Sequence, residues 1–194
     1  MNLLAHLHLS DGLSIPATAG NVLADYVRRF RAEPIDDEFR TGMRLHQAID
    51  VFAEFDEHHR AARKCIGSSR RRLASVIVDV AFDHCLARHW SRFAAVPLEP
   101  YVVERLGRIQ AYVHESGSPL KALVDRAIEQ GWLLSYATLD GVRTTFRRVS
   151  GRSRAAKGLL GAEEEIERHG DCLERQFYAF YPRLMKTFAG KTRT

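Results

Sequence analysis

Apolar positions recur at three- and four-residue steps through most of this 194-residue chain, the spacing of one α-helical face. Residues 22–30 read as a short amphipathic helix. Residues 36–55 read as a longer one, with Phe39, Met43, Leu45, Ile49, Val51 and Phe52 along its stripe. Residues 56–65 are either a break or a further short helix. The clearest pattern covers 70–92, where Leu73, Val76, Ile77, Val80, Ala81, Leu86 and Trp90 follow helical steps. Its middle is apolar nearly all round, which places it in the core. Pro97-Leu98-Glu99-Pro100 marks a break. Helices are predicted over 101–114 and 120–131, separated by the turn-forming stretch 115–119. Residues 133–150 are β-branched in places, but no two-residue alternation supports a strand, so helix is predicted there too. The Ser-, Arg- and Gly-rich stretch 151–161 is expected to be a mobile loop. Residues 163–185 are expected to form a last long helix, acidic at its start as the macrodipole favours, and kinked or ended by Pro182. The fold class is all-α, a single-domain helical bundle spanning 1–194.

Composition refines this. At 45% hydrophobic and 27% charged residues, the chain is that of a water-soluble globular protein. No apolar run is long enough for a transmembrane helix. The start, Met1-Asn2-Leu3-Leu4-Ala5-His6, lacks the pattern of a signal peptide, so a cytoplasmic location is expected. Cys65, Cys85 and Cys172 are scattered and odd in number, which favours three reduced thiols over a disulfide or a zinc–thiolate site. The net charge of +5 suggests an acidic partner. The basic residues form groups: Arg28, Arg29 and Arg31; Arg70, Arg71 and Arg72; and a run from Arg143 through Arg147, Arg148, Arg152 and Arg154 to Lys157.

Candidate chemistry lies in histidines and carboxylates at helical spacing. His46 and Asp50 are four apart, as are Asn21 and Asp25, and Asp79 and Asp83. Asp79 and Asp83 share a face of the most apolar helix, with His84 about a hundred degrees further round. Two like charges on one buried face require either a proton or a cation. The alternative is pairing with arginines such as Arg72 or Arg88. His6 and His8 are two apart, so a helix sends them to different faces and one of them at most joins such a site. Oxygen and imidazole ligands without thiolate suit Mg²⁺, Mn²⁺, Fe²⁺ or Zn²⁺. His58, His59 and His114 have polar flanks and are expected at the surface. A nucleophile elbow, a phosphate-binding Gly-rich loop and a dinucleotide fingerprint are all missing from the sequence.

Several segments resemble the acyl carrier protein phosphodiesterase family. They are Met1-Asn2-Leu3-Leu4-Ala5-His6-Leu7-His8-Leu9, Gly20-Asn21-Val22-Leu23-Ala24-Asp25-Tyr26-Val27-Arg28, His46-Gln47-Ala48-Ile49-Asp50, the stretch from Asp79 to Trp90, and Phe180-Tyr181-Pro182-Arg183. The resemblance implies removal of 4′-phosphopantetheine from holo acyl carrier protein, by a divergent branch of the all-helical HD-type phosphohydrolases. It implies a divalent metal, Mn²⁺ foremost and Fe²⁺ or Mg²⁺ otherwise. It also implies His6, Asp25, Asp79 and Asp83 near that metal, and His84, His46 and Asp50 as catalytic groups or ligand partners. Arg28, Arg88, Asn21 and Arg70, Arg71 and Arg72 would contact substrate. The partner implied is holo acyl carrier protein, with neither nucleic acid nor membrane bound and the oligomeric state unspecified. Two departures stand out: the His-Asp dipeptide of HD enzymes is inverted here as Asp83-His84, and Glu54-Phe55-Asp56-Glu57 replaces the relatives' pattern after Asp50. Two other readings are a nucleotide-directed phosphohydrolase of the same chemistry and a non-catalytic basic module that binds nucleic acid.

Overall fold

The structure is a computed structural model that describes residues 1–151 and 153–188. Among the described residues it contains ten α-helices, short 3₁₀ turns and no strand, as the periodicity predicts. No described helix is long and apolar enough to cross a membrane. In chain order the helices are α1 (Leu3–His8), α2 (Ile15–Phe30), α3 (Asp37–Phe55), α4 (Glu57–Cys65), α5 (Ala74–Arg88), α6 (Leu98–Glu115), α7 (Lys121–Glu129), α8 (Leu139–Ser150), α9 (Glu163–Arg168) and α10 (Gly170–Phe188).

Polar side chains set several of the starts. Ser14, Asp36, Asp56 and Thr138 each accept a backbone N–H of the first turn of α2, α3, α4 and α8, satisfying donors that have no partner within the helix. Asp56 thus both ends α3 and begins α4, so residues 56–65 are a helix after a one-residue hinge.

α5 is the central element. Ile77, Val78 and Val80 through Ala87 are all buried along it, in keeping with its all-round apolar sequence. Phe82 packs against Phe177 and Phe180 of α10. α2 and α3 approach unusually closely. A Cβ on Gly42 would stand 1.9 Å from the carbonyl oxygen of Ala17, and one on Gly20 would stand 2.0 Å from that of Phe39. Only glycine permits this separation.

Several expectations are revised. α2 begins seven residues before 22, because Ser14 and Pro16 form a standard helix start. Residues 68–73 are a 3₁₀ turn, so α5 begins at Ala74 and Arg70, Arg71 and Arg72 precede it. Residues 134–137 are also a 3₁₀ turn, and Thr138 caps α8 after it. The last helix divides at His169 into α9 and α10, and Pro182 lies inside α10 without ending it. Part of 151–161 is ordered as a 3₁₀ turn, Ala155–Leu159, with Leu159 buried. Arg152 lies outside the described residues, as do residues 189–194. Cys65 and Cys172 form a disulfide, while Cys85 is free and buried. The two partners are 107 residues apart in sequence, but the packing of α4 beside α10 brings their Cα atoms to 6.3 Å.

Candidate metal centre

Four helices bring histidines and acids to one place. His6 comes from α1, Asp25 from α2, His46 and Asp50 from α3, and Asp79 from α5. One ligand atom from each of His6, His46 and Asp50 can be chosen so that all three lie within 4.8 Å of one another. The two imidazoles are stacked, with ring centroids 4.0 Å apart. His6 Nε2 stands 3.3 Å from one Asp50 oxygen and His46 Nε2 stands 3.2 Å from the other. Asp25 Oδ1 is 3.4 Å from His46 Nε2.

Asn21 sets the orientation of both rings. Its amide nitrogen donates to the His6 carbonyl and to Ser10 Oγ, so its Oδ1 is the acceptor facing His6 Nδ1 at 3.0 Å. His46 Nδ1 faces the Asn21 carbonyl oxygen at 2.8 Å. Both Nδ1 atoms must therefore carry hydrogen and donate. In the neutral rings this leaves Nε2 with a free lone pair. Both Nε2 atoms are buried and form no hydrogen bond. Buried imidazole nitrogens without a partner are costly, and an outer hydrogen bond at Nδ1 with Nε2 bare is the usual arrangement of a metal-ligating histidine. The donor set of two imidazoles and carboxylate oxygen fits a divalent cation.

The imidazoles lie at the bottom of the site and the acids at its opening. His6 and His46 are 1% and 3% exposed at the side chain, against 62% for Asp25, 37% for Asp50 and 26% for Asp79. Without a metal, two cations balance the acids. The Met1 ammonium lies 3.1 Å from Asp50 and 3.3 Å from Asp79. Burial works against its charge, but Asp79 and Asp50 outweigh that and raise its pKa to about 10. Burial likewise opposes charging of His46, and the close carboxylates of Asp25 and Asp50 overcome it, placing its pKa at about 9. The same contact with His46, reinforced by Arg28, holds Asp25 well below the ordinary carboxylate range. Asp50 is also held low despite desolvation, through His46, His6 and the Met1 ammonium. Burial lowers the pKa of His6.

The remaining expected residues take other positions. Asp83 is fully buried, and its two oxygens accept the backbone N–H groups of Leu4 at 2.8 Å and Ala5 at 3.1 Å. It thereby anchors the start of α1, the helix that carries His6. Desolvation raises its pKa to about 7. Asp79 pairs with His59 Nε2 at 3.0 Å, so neither acid of α5 pairs with Arg72 or Arg88. His84 donates from Nδ1 to the Tyr136 carbonyl and lines a separate cavity of about 470 Å³ with Arg88 and Glu174. No member of the His6 group lines that cavity. Asn21 is fully buried, so its side chain serves the imidazole and not the solvent-facing surface. Arg28 is exposed and ion-paired with Asp25 at 2.5 Å. His8 turns away from His6 and contacts the Tyr181 hydroxyl at 2.7 Å.

His59 corrects the sequence reading. It is 2% exposed, and its Nδ1 is buried with no hydrogen-bond partner. The helical phase of His59, Ala62 and Ile66, all buried, is the signal that its polar neighbours mask. The Met1 ammonium is the other member of the site that side-chain spacing could not reveal.

The model of the family described as acyl carrier protein phosphodiesterase matches residues 1–184. Acyl carrier protein phosphodiesterases of Escherichia coli O139:H28 (strain E24377A / ETEC) and O9:H4 (strain HS) are each 32% identical over 186 residues. The match covers 95% of this chain and 96% of each relative. No solved structure matches. With its likeness running nearly end to end, the chain belongs to the acyl carrier protein phosphodiesterase family.

Proposed function

We propose that this chain hydrolyses the phosphodiester joining 4′-phosphopantetheine to a serine of holo acyl carrier protein, with a divalent cation held by His6, His46 and Asp50. The observation that carries the metal is the pair of buried Nε2 atoms without a hydrogen-bond partner, placed by Asn21 beside Asp50. Such an ion, when bound, supplies Lewis-acid activation of the phosphodiester and of water. Mn²⁺ is the foremost candidate, with Fe²⁺ and Mg²⁺ next, since the donors are imidazole and carboxylate. The all-helical frame around a His/Asp cluster is compatible with an HD-type enzyme. The compartment proposed is the cytoplasm.

The protein's own groups divide the remaining work. Asp25 and Asp79, at the open side of the cluster, add negative charge that retains the cation. Asp83 holds α1, and with it His6, against α5. Water oxygen attacks phosphorus and gives up a proton to solvent, the P–O bond to serine breaks, and the departing serine oxygen takes a proton. His59, buried and bonded through Nε2 to Asp79, orients that acid, and solvent supplies the proton to the serine oxygen. The products are apo carrier protein and 4′-phosphopantetheine.

The test is the intact mass of a holo carrier protein after incubation with the purified enzyme. Loss of the prosthetic group, prevented by chelator and restored by Mn²⁺, is expected. Release of phosphate from nucleotides with the carrier protein left holo would favour the nucleotide-directed reading instead.

A further inference from the structure

We propose that the groove between α4 and the start of α5 is the docking site for an acidic surface of the carrier-protein substrate. This rests on the functional reading above and selects one of the chain's basic clusters. The groove has a volume of about 380 Å³ and is lined by Arg60, Arg63, Lys64, Arg71, Arg72 and Ser75, with Ala74 at its floor. Five of these side chains are cationic. Arg63 is paired with Glu54 at 2.8 Å, and Arg60 bonds the Glu54 carbonyl oxygen. Lys64, Arg71 and Arg72 are exposed and make no ion pair among the described residues. Unpaired cations held side by side repel, and an acidic partner relieves that repulsion.

The run Arg70-Arg71-Arg72 is divided by the fold. Arg70 turns to the other side, where it donates to the carbonyl oxygens of Gly158 and Leu160. It thereby ties the Ala155–Leu159 turn to the start of α5 and leaves Arg71 and Arg72 for the groove. Within the other basic groups, Arg28 is engaged with Asp25, and Arg143 with Asp140 and Glu163.

Position favours this groove as well. Arg63 is four residues after His59 on α4, and Ser75 is four residues before Asp79 on α5. Each is one helical turn from the candidate site, about 6 Å along the axis. An acidic surface seated in the groove would therefore place a neighbouring phosphodiester within reach of the cluster. An apolar anchor is also present. Phe55 is 68% exposed and lies beneath the Arg60 guanidinium, and Val76, beside Ser75, is 37% exposed. Exposed aromatic and aliphatic groups bordered by arginines match the composition of protein–protein contact surfaces.

The test compares the double charge reversal Arg71→Glu/Arg72→Glu with a control pair, Arg147→Glu/Arg154→Glu, in the full chain. KM for holo carrier protein should rise about tenfold or more in the groove variant, with kcat nearly unchanged and a flatter dependence of kcat/KM on ionic strength. Hydrolysis of bis(p-nitrophenyl) phosphate, too small to use the groove, should stay at the wild-type rate in both variants. Lys64→Glu alone provides a milder perturbation should the double variant fold poorly, and its KM should shift in the same direction. If wild type converts holo to apo protein while the groove variants keep its KM, or if the control pair shows the rise instead, the groove assignment is overturned alone. If wild type leaves holo carrier protein intact, the functional reading falls and the groove with it.

Discussion

Replacing Gly42 with alanine would test how the close crossing of α2 and α3 builds the site. The new Cβ would sit 1.9 Å from the Ala17 carbonyl oxygen and 2.8 Å from the Asn21 backbone nitrogen, whereas ordinary contact begins at 3.4 Å. The shortfall is 3.4 − 1.9, so the two helices must separate by roughly 1.5 Å at that point, because the obstacle is backbone. Overpacking of this kind costs about 1–3 kcal/mol. The gain in helix propensity from Gly to Ala returns about 1 kcal/mol. A net loss of up to about 2 kcal/mol is expected, or a fall in Tm of up to about 8 °C for a protein of this size. The functional consequence should be larger. His46 lies one turn beyond Gly42, and its Nδ1 is 2.8 Å from the Asn21 carbonyl oxygen on the opposing helix. Separation on the scale of an ångström breaks that bond and turns the ring away from His6 and Asp50. Calorimetric titration with Mn²⁺ should show at least a roughly tenfold loss of affinity, as expected when an outer-shell partner is removed. Gly107→Ala on α6 is the control: a Cβ there meets nothing within 4 Å, so stability should rise by up to about 1 kcal/mol and Mn²⁺ affinity should stay the same. A Gly42→Ala protein as stable and as tightly metal-binding as wild type would refute the reasoning.

Asp83→Ala should destabilise even the chelator-treated protein, by about 2–5 kcal/mol in urea unfolding, because two buried N–H donors lose their acceptor; equal stability would remove its role as the anchor of α1. The pKa of His46, raised from 6.5 to about 9, gives a signed pH dependence. Its stabilising contribution is complete below pH 6.5 and is lost as pH rises through about 9. The Tm of chelator-treated protein should therefore fall over that window, and His46→Gln should flatten the slope; an unchanged slope would count against the Asp25–His46–Asp50 contacts. Thiol titration of the unfolded, unreduced protein should find one free cysteine. Reduction should lower stability, by up to about 4–5 kcal/mol for a loop of roughly 100 residues; three titratable thiols in freshly isolated protein would indicate that the Cys65–Cys172 bond does not form where the protein resides.

The all-helical fold was legible because burial of a helix face leaves a period in the sequence, as along α3, and because α5 is a long apolar stretch buried nearly all round. Less legible were segments shaped by backbone approach instead of side-chain burial. The first two turns of α2 hold Pro16, Ala17, Thr18 and Gly20, of which Ala17 and Gly20 meet the backbone of α3. Within the site, His46 and Asp50 announce themselves by four-residue spacing on one helix. Asn21 was noticed, but its actual task, bonding one imidazole with its side chain and another with its carbonyl, depends on three helices meeting. His59 was hidden by charged neighbours on a helix with a single buried edge. His84 was expected as a catalytic group or ligand partner beside Asp83, yet the helical step between them sends it to a separate cavity. The Cys65–Cys172 pairing spans 107 residues and has no local signature.

The central claim is that two imidazoles and a carboxylate from α1 and α3 hold a divalent cation. Diffraction from Mn²⁺-soaked crystals, recorded at the manganese absorption edge, tests it most directly. An anomalous peak within bonding distance of His6 Nε2, His46 Nε2 and an Asp50 oxygen is the predicted result. A peak at some other group of residues, or none at saturating Mn²⁺, would contradict it.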